Sequence, residues 1–397
     1  MIAAPLAIDG GRPVRRTALP YGRQMLDEAD IEAVVEVLRG DWLTTGPNVA
    51  TYEHAVAEYT GVKHAVAVAS GTAALHAAVA AIGAGPGDEI ITSPLSFAAS
   101  ANCALYCGAK PVFADVQPDT CNLDPGSVEA AITPRTKAIV AVHYAGQPAD
   151  MDEIHSIAQR HGVVTVEDAA HALGAAYKGW RVGGLSPMTV FSTHPVKPIT
   201  TGEGGLVTTD DEALAQRVCA FRNHGIAIDA HERARSGDWH YDMAFLGYNY
   251  RIPDILCALG RSQLARLGTF LERRRAIARI YDEAFAAVPE VEPIVQNEDR
   301  ESAWHLYVIR LRLDLLRVER RQVFQALRAE GIGVNVHYIP IYWHSHYQRM
   351  GYGKGLCPQA EAQYERLVTL PLWVGMTDDD AADVIGAMYK VVEAYRA

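Results

Sequence analysis

The sequence predicts an α/β fold, a mostly parallel central sheet flanked by helices, followed by a smaller C-terminal α+β domain. Two observations carry this. Between Ala65 and Asp210 short β-branched runs alternate with stretches of helical period, the order expected when helices cover both faces of a parallel sheet. After about residue 260 the texture changes to an Arg-rich amphipathic stretch and then to an alternating strand.

In chain order, residues 1–25 are expected to form an N-terminal arm. Its opening, "MIAAPLAIDGGRPVRR", starts apolar but lacks a basic segment followed by a sustained apolar core, so no signal peptide is expected. Residues 26–260 are assigned to a large domain with strands "HAVAVAS", "EIITS", "PVFADV", "AIVAVHY", "VVTVED", "TVFST" and "GLVTTD". Between them "GTAALHAAVAAIGAG", "FAASANCALYCGA", "PGSVEAAIT" and "DMDEIHSIAQRHG" have helical apolar spacing, several closed by Gly. Residues 261–397 are assigned to the small domain. There "SQLARLGTFLERRRAIARIYDEAFAAV" reads as one long connecting helix and "HLYVIRLRL" as a strand.

The 397 residues are 49% apolar, ample for a large core. A net charge of -11, with no block of like charge, argues against nucleic acid or an anionic membrane as main partner, while leaving room for a local phosphate pocket. No apolar run is long enough to span a bilayer. The six cysteines form no CxxC pair and no cluster with histidine, which suits a reduced, cytoplasmic protein.

The chemistry-bearing stretch is "FSTHPVKPITTGEGG". Pro195 and Pro198 each lack a backbone donor and restrict their neighbours, so neither helix nor ladder continues easily through Lys197. Of the seven lysines this one alone follows a strand end beside a Gly-rich turn. Upstream, "VVTVED" delivers Asp168 to the same sheet edge, where it suits either a helix N-cap or an acidic partner for a pyridine nitrogen. In "ASGTAAL" a strand ends at a helix start whose first N–H groups, on Thr72 and Ala73, suit a phosphate. An amine for an aldehyde, a carboxylate for a ring nitrogen and a phosphate cradle converge on one ligand, pyridoxal 5'-phosphate (PLP).

Together with "DWLTTGP", "TSPLSFAAS", "HYAGQPADM", "VEDAAHALGA", "FRNHGI", "GYNYRI" and "VNVHYIPIY", these motifs make the chain resemble, nearly end to end, the DegT/DnrJ/EryC1/StrS sugar aminotransferases of the fold-type I PLP enzymes. Within that family "HPVKPITT", "HYAGQPADM" and "VNVHYIPIY" are most similar to the C4 transaminases that make UDP-4-amino-4,6-dideoxy-N-acetyl-beta-L-altrosamine. The resemblance implies that Lys197 forms the Schiff base with PLP and that Asp168 pairs with its ring nitrogen. It implies further that Thr72, Ala73 and Ser192 hold the phosphate with Asn249 of a neighbouring subunit, giving a homodimer with shared active sites. Phe97 falls where the family stacks an aromatic ring on the cofactor. His171 falls where the family more often has Gln, near the phenolic oxygen. Thr44, Thr45, His337 and Tyr338 fall in segments that contact the nucleotide sugar. His344 and His346, two residues apart with no obvious third ligand, are read as surface or substrate-rim histidines, and no metal is expected.

The implied reaction moves an amino group from L-glutamate to the C4 ketone of a UDP-linked 4-keto-6-deoxy-N-acetylhexosamine through PLP and its pyridoxamine form, PMP. Bacillosamine-type or perosamine-type ketosugars are the alternative substrates. A 3-dehydratase of the same family would carry His in place of Lys197. A nicotinamide enzyme would show GxGxxG after an early strand, and none is present.

Overall fold

A computed structural model describes residues 5–227 and 239–397; residues 1–4 of the expected arm lie outside it. In chain order the strands are β1 (His64–Val68), β2 (Glu89–Thr92), β3 (Lys110–Phe113), β4 (Thr136–Val142), β5 (Val164–Asp168), β6 (Ala176–Tyr177) and β7 (Trp180–Arg181). They continue with β8 (Met188–Ser192), β9 (Gly205–Thr209), β10 (Val291–Pro293), β11 (Arg300–Glu301), β12 (Tyr307–Leu311) and β13 (Leu367–Leu370).

The seven expected strands form one sheet in the order β1-β9-β8-β5-β4-β2-β3. β3, β2, β4, β5 and β8 are mutually parallel, whereas β9 runs antiparallel to both of its neighbours. Every residue of β2, β8 and β9 is buried, because helices cover both faces, and such strands read as continuous apolar runs. The register brings Asp168 at the end of β5, Ser192 at the end of β8 and Gly205 at the start of β9 to one edge. Ligands collect at that edge in open α/β sheets.

A second sheet, β10-β12-β13, is antiparallel and packs under the helices Arg320–Ala329 and Asp378–Tyr395. The N-terminal segment belongs to this core. Leu6 and Leu19 are buried in it, and buried Glu330 accepts the N–H groups of Ala7 at 2.8 Å and Val14 at 3.0 Å while pairing with Lys390 at 2.8 Å. The three-stranded ribbon β11-β6-β7 stitches residues 300–301 onto the larger part.

The long connecting helix expected from the sequence is two helices, Asp254–Ala265 and Leu267–Phe285, broken at Arg266. The cause is a contact made elsewhere. The Arg266 guanidinium reaches Asp27 and buried Asp30 on the first long helix, and Asp30 also takes the Ser262 hydroxyl and the Gln263 amide, each at 2.6 Å. The second helix spans both cores: Leu267, Phe270 and Leu271 pack beside Tyr52, and Ile277, Tyr281 and Phe285 pack beside Tyr307. No helix among the described residues is long and apolar enough to cross a membrane.

Candidate active site

At the shared sheet edge lies a cavity of about 900 Å³. Eight of the residues expected at the site face it: Thr72, Phe97, Asp168, His171, Ser192, Lys197, His337 and Tyr338, and the rim histidines His344 and His346 join them. Four expected residues do not, Thr45 among them. Ala73 sits one position deeper in its helix, and its N–H is taken by the Ser70 hydroxyl at 3.1 Å. Thr44 is exposed away from the cavity. Asn249 is exposed too, on a segment bridged to Asn223.

The phosphate-sized end of the cavity depends on two glycines. A Cβ on Gly71 would stand 2.8 Å from the Ser192 Cβ, and one on Gly205 would stand 2.4 Å from the Ser70 carbonyl oxygen. Without side chains there, the start of the helix Gly71–Ala81 seats directly on the ends of β8 and β9. The first two N–H groups of that helix, on Gly71 and Thr72, have no intrahelical acceptor and carry the positive end of its dipole. With the Ser192 hydroxyl beside them, they form a donor set for a phosphate monoester.

Deeper in, Asp168 is buried; its carboxylate accepts the Ser100 hydroxyl at 2.6 Å and the Ala170 N–H at 3.2 Å. Each carboxylate oxygen has two lone pairs and uses one, so each keeps capacity for a further donor. The helix N-cap reading of Asp168 does not hold, because residues 169–175 form turns and no helix, while its bond to the Ala170 N–H leaves it free to partner a ring nitrogen.

Lys197 is partly buried, and burial lowers its amine to about 8 while the Asp168 charge pulls the other way. Near it lie three imidazoles. Burial first, and the Lys197 charge second, hold His171 and His305 well below the ordinary histidine range and bring His337 to about 3. They are neutral at pH 7, and the amine and carboxylates that line the cavity are Lys197, Asp168 and Glu203. His171 Nε2 lies 3.0 Å from the Tyr338 hydroxyl, whose proton is held more firmly by burial, and His337 Nδ1 lies 2.9 Å from the Thr369 hydroxyl. Phe97 stands 63% exposed at the mouth, outside any core.

Two members of this floor were not anticipated from the sequence. Ser100 follows Phe97 on a helix that reads as ordinary packing. His305 opens the stretch "HLYVIRLRL", whose strand pattern masks it, yet its Nε2 lies 3.5 Å from Lys197 Nζ. A half-buried amine, a buried carboxylate with spare acceptor capacity and an N–H cradle match the aldehyde, ring nitrogen and phosphate of PLP. The buried Nδ1 of His171 has no partner among the described residues and leaves a polar atom in the site open to a ligand.

The family model for DegT/DnrJ/EryC1/StrS aminotransferases matches residues 24–389. The chain is 44% identical over 382 residues to the spore coat polysaccharide biosynthesis protein SpsC of Bacillus subtilis, covering 96% of this chain and 98% of SpsC. PseC of Helicobacter pylori, an aminotransferase of pseudoaminic acid biosynthesis, superposes with a TM-score of 0.90 at 33% identity over 96% of this chain and 100% of PseC. Spr1654 of Streptococcus pneumoniae in its PMP form gives 0.90 at 33% identity over 95% of this chain and 99% of its own, and its PLP form gives 0.89. The chain belongs to the DegT/DnrJ/EryC1/StrS aminotransferase family, and its cofactor is PLP.

Proposed function

We propose that the protein transfers an amino group from L-glutamate to the C4 ketone of a UDP-linked 4-keto-6-deoxy-N-acetylhexosamine. The observation that carries the reading is the convergence of Lys197, Asp168 and the Gly71–Thr72 helix start on one cavity in a chain similar to PseC. The second reading is another nucleotide ketosugar, of bacillosamine or perosamine type; the 44% identity to the spore coat polysaccharide biosynthesis protein SpsC supports a sugar substrate without choosing between them.

In this reading PLP, when bound, supplies an electron sink for the pair released as a C–H bond beside nitrogen breaks. Asp168 keeps the ring nitrogen protonated. Gly71, Thr72 and Ser192 would hold the phosphate, Phe97 would cover one face, and His171 would serve the phenolic oxygen. Lys197 does the proton work. Burial lowers its amine toward the neutral form, and that lone pair takes the Cα proton of the donor. In the second half Nζ returns a proton to C4 of the sugar. One amine serving both directions gives ping-pong kinetics.

His337 and Tyr338, which line the cavity, are assigned to the nucleotide sugar; Thr44, which does not line it, carries no such assignment. Asn249 is assigned to the phosphate of a partner copy, which makes the enzyme a homodimer. In support, the stretch leading to Asn249 carries Met243, Phe245 and Leu246, 57%, 40% and 74% exposed, apolar area that a second copy would cover. The test is incubation with L-glutamate and a panel of nucleotide 4-ketosugars, with product stereochemistry read by NMR. The expected product is a C4 amine on the UDP sugar; amination at C3, or of dTDP sugars alone, refutes the substrate assignment.

A further inference from the structure

Three features hold one more side chain against the amine. The segment Ala303–Leu306 docks on the turn after β4, with the Ala303 N–H donating to the Gly146 carbonyl at 3.0 Å and the Leu306 N–H to Ala145 at 3.2 Å. The fit is close: a Cβ on Gly146, at φ +106°, would stand 3.0 Å from the amide nitrogens of both Trp304 and His305. Trp304 itself has φ +48°, left-handed backbone that a bulky residue adopts only when its surroundings impose it. Beneath the segment, buried Arg274 donates to the carbonyls of Trp304 at 3.2 Å, His305 at 3.3 Å and Leu372 at 3.0 Å. It makes no ion pair among the described residues, and burial lowers it to about 10. A strained residue and an uncompensated buried cation are both costly, and such features concentrate where function needs a fixed geometry.

What they fix is His305. Its ring is buried, its Nδ1 has no partner among the described residues, and its one polar contact is Nε2 to Lys197 Nζ at 3.5 Å. We infer that His305 is a positioning residue for Lys197, its Nε2 holding Nζ, whenever that amine is free, at the point in the cavity from which a proton is taken up and returned. The inference rests on the proposed role of Lys197 as proton carrier. A neutral imidazole accepts from the ammonium and, in its other tautomer, donates to the neutral amine, so His305 accompanies both states.

The proton ledger is closed without it. In the first half-reaction Nζ takes a proton from the donor Cα and would give it to the cofactor's aldehyde carbon; in the second it would take one from that carbon and give it to C4 of the sugar, so Nζ ends each half as it began and His305 takes none. Its surroundings enforce this, because burial, then Lys197, His171, Arg274 and His337, all disfavour an imidazolium there. Asp168 is the one group acting on Lys197 in the opposite sense.

The test reads the amine directly in cofactor-free protein. Trace acetylation of Lys197 is followed by peptide mass spectrometry against pH, and the parent midpoint is expected near 8. His305→Leu removes the acceptor and should lower the midpoint by about one pH unit, while His305→Gln should leave it within about 0.3. In the loaded enzyme the glutamate half-reaction of His305→Leu should lose about tenfold or more in kcat with KM nearly unchanged, and Gln should restore it. A folded His305→Leu protein with the parent midpoint overturns the inference. Should that variant not fold, His305→Asn, whose amide is too short to reach Nζ, is held to the same criterion. No sugar enters the labelling experiment, so failure of the substrate assignment would leave its outcome untouched.

Discussion

Replacing Lys197 with Met should make the cofactor-free protein more stable while abolishing turnover. The amine is moved by burial from its ordinary 10.5 to about 8. At about 1.36 kcal/mol per pH unit, holding it protonated in the fold costs roughly 3 kcal/mol at pH 7, an upper figure because the side chain is partly accessible. The sign follows from linkage. Between about 8 and 10.5 the unfolded chain binds the extra proton, so parent stability rises with pH across that window, and below 8 the full cost is present. Met fills similar space without the charge. With about 2.1 cal/mol/K of unfolding entropy per residue over 397 residues, the gain corresponds to a rise of roughly 4 °C in Tm at pH 7. By pH 9.5 it should shrink to about 1 kcal/mol. Thermal and urea unfolding of both proteins, stripped of cofactor, at pH 7 and pH 9.5 is the assay. A Lys197→Met protein no more stable than the parent at pH 7, or a gain that does not fall with pH, refutes the claim that burial sets the state of this amine.

Asp168→Asn keeps the acceptor for Ser100 but loses the charge, so it should bind PLP and lose on the order of 10²-fold or more in kcat; steady-state kinetics beside the cofactor absorption band check this. Asn249→Ala should weaken cofactor retention, and mixing it with Lys197→Ala protein should restore partial activity through hybrid dimers; demonstrated hybrids without activity would count against a shared site. Glu330→Ala strands Lys390, whose side chain is 15% exposed, and frees two N–H groups of the N-terminal segment. It should cost about 3 kcal/mol and open the chain to trypsin at Arg15 and Arg16, seen by urea unfolding and limited proteolysis.

How much of this was legible in the sequence depended on how far each feature reaches along the chain. The strands of the large sheet were readable because strands buried on both faces need runs such as "IIT" and "TVF" whatever lies beside them. Lys197 and Asp168 were readable because strand ends in such sheets deliver their next residues to a common edge. The helix break at Arg266 was not, since the carboxylates responsible belong to the first long helix, far away in sequence. The use of the Ala73 N–H by Ser70 was equally hidden: both partners are local, but which donor a hydroxyl chooses is set by the backbone angle at Ser70, φ −166°.

The order of apolar runs, the amine between prolines and the carboxylate at a strand end are properties of the chain alone, because each is imposed by local chemistry and the period of a strand or helix. Which polar groups meet them is not. His305 stands 108 residues from Lys197 inside an unremarked strand pattern, and its place over the amine exists only because Arg274, Trp304 and Gly146 bring two sheets together there. Burial, and with it the state of every titrating group on the cavity floor, is a property of that closure, since desolvation acts only once distant segments exclude water from the same space.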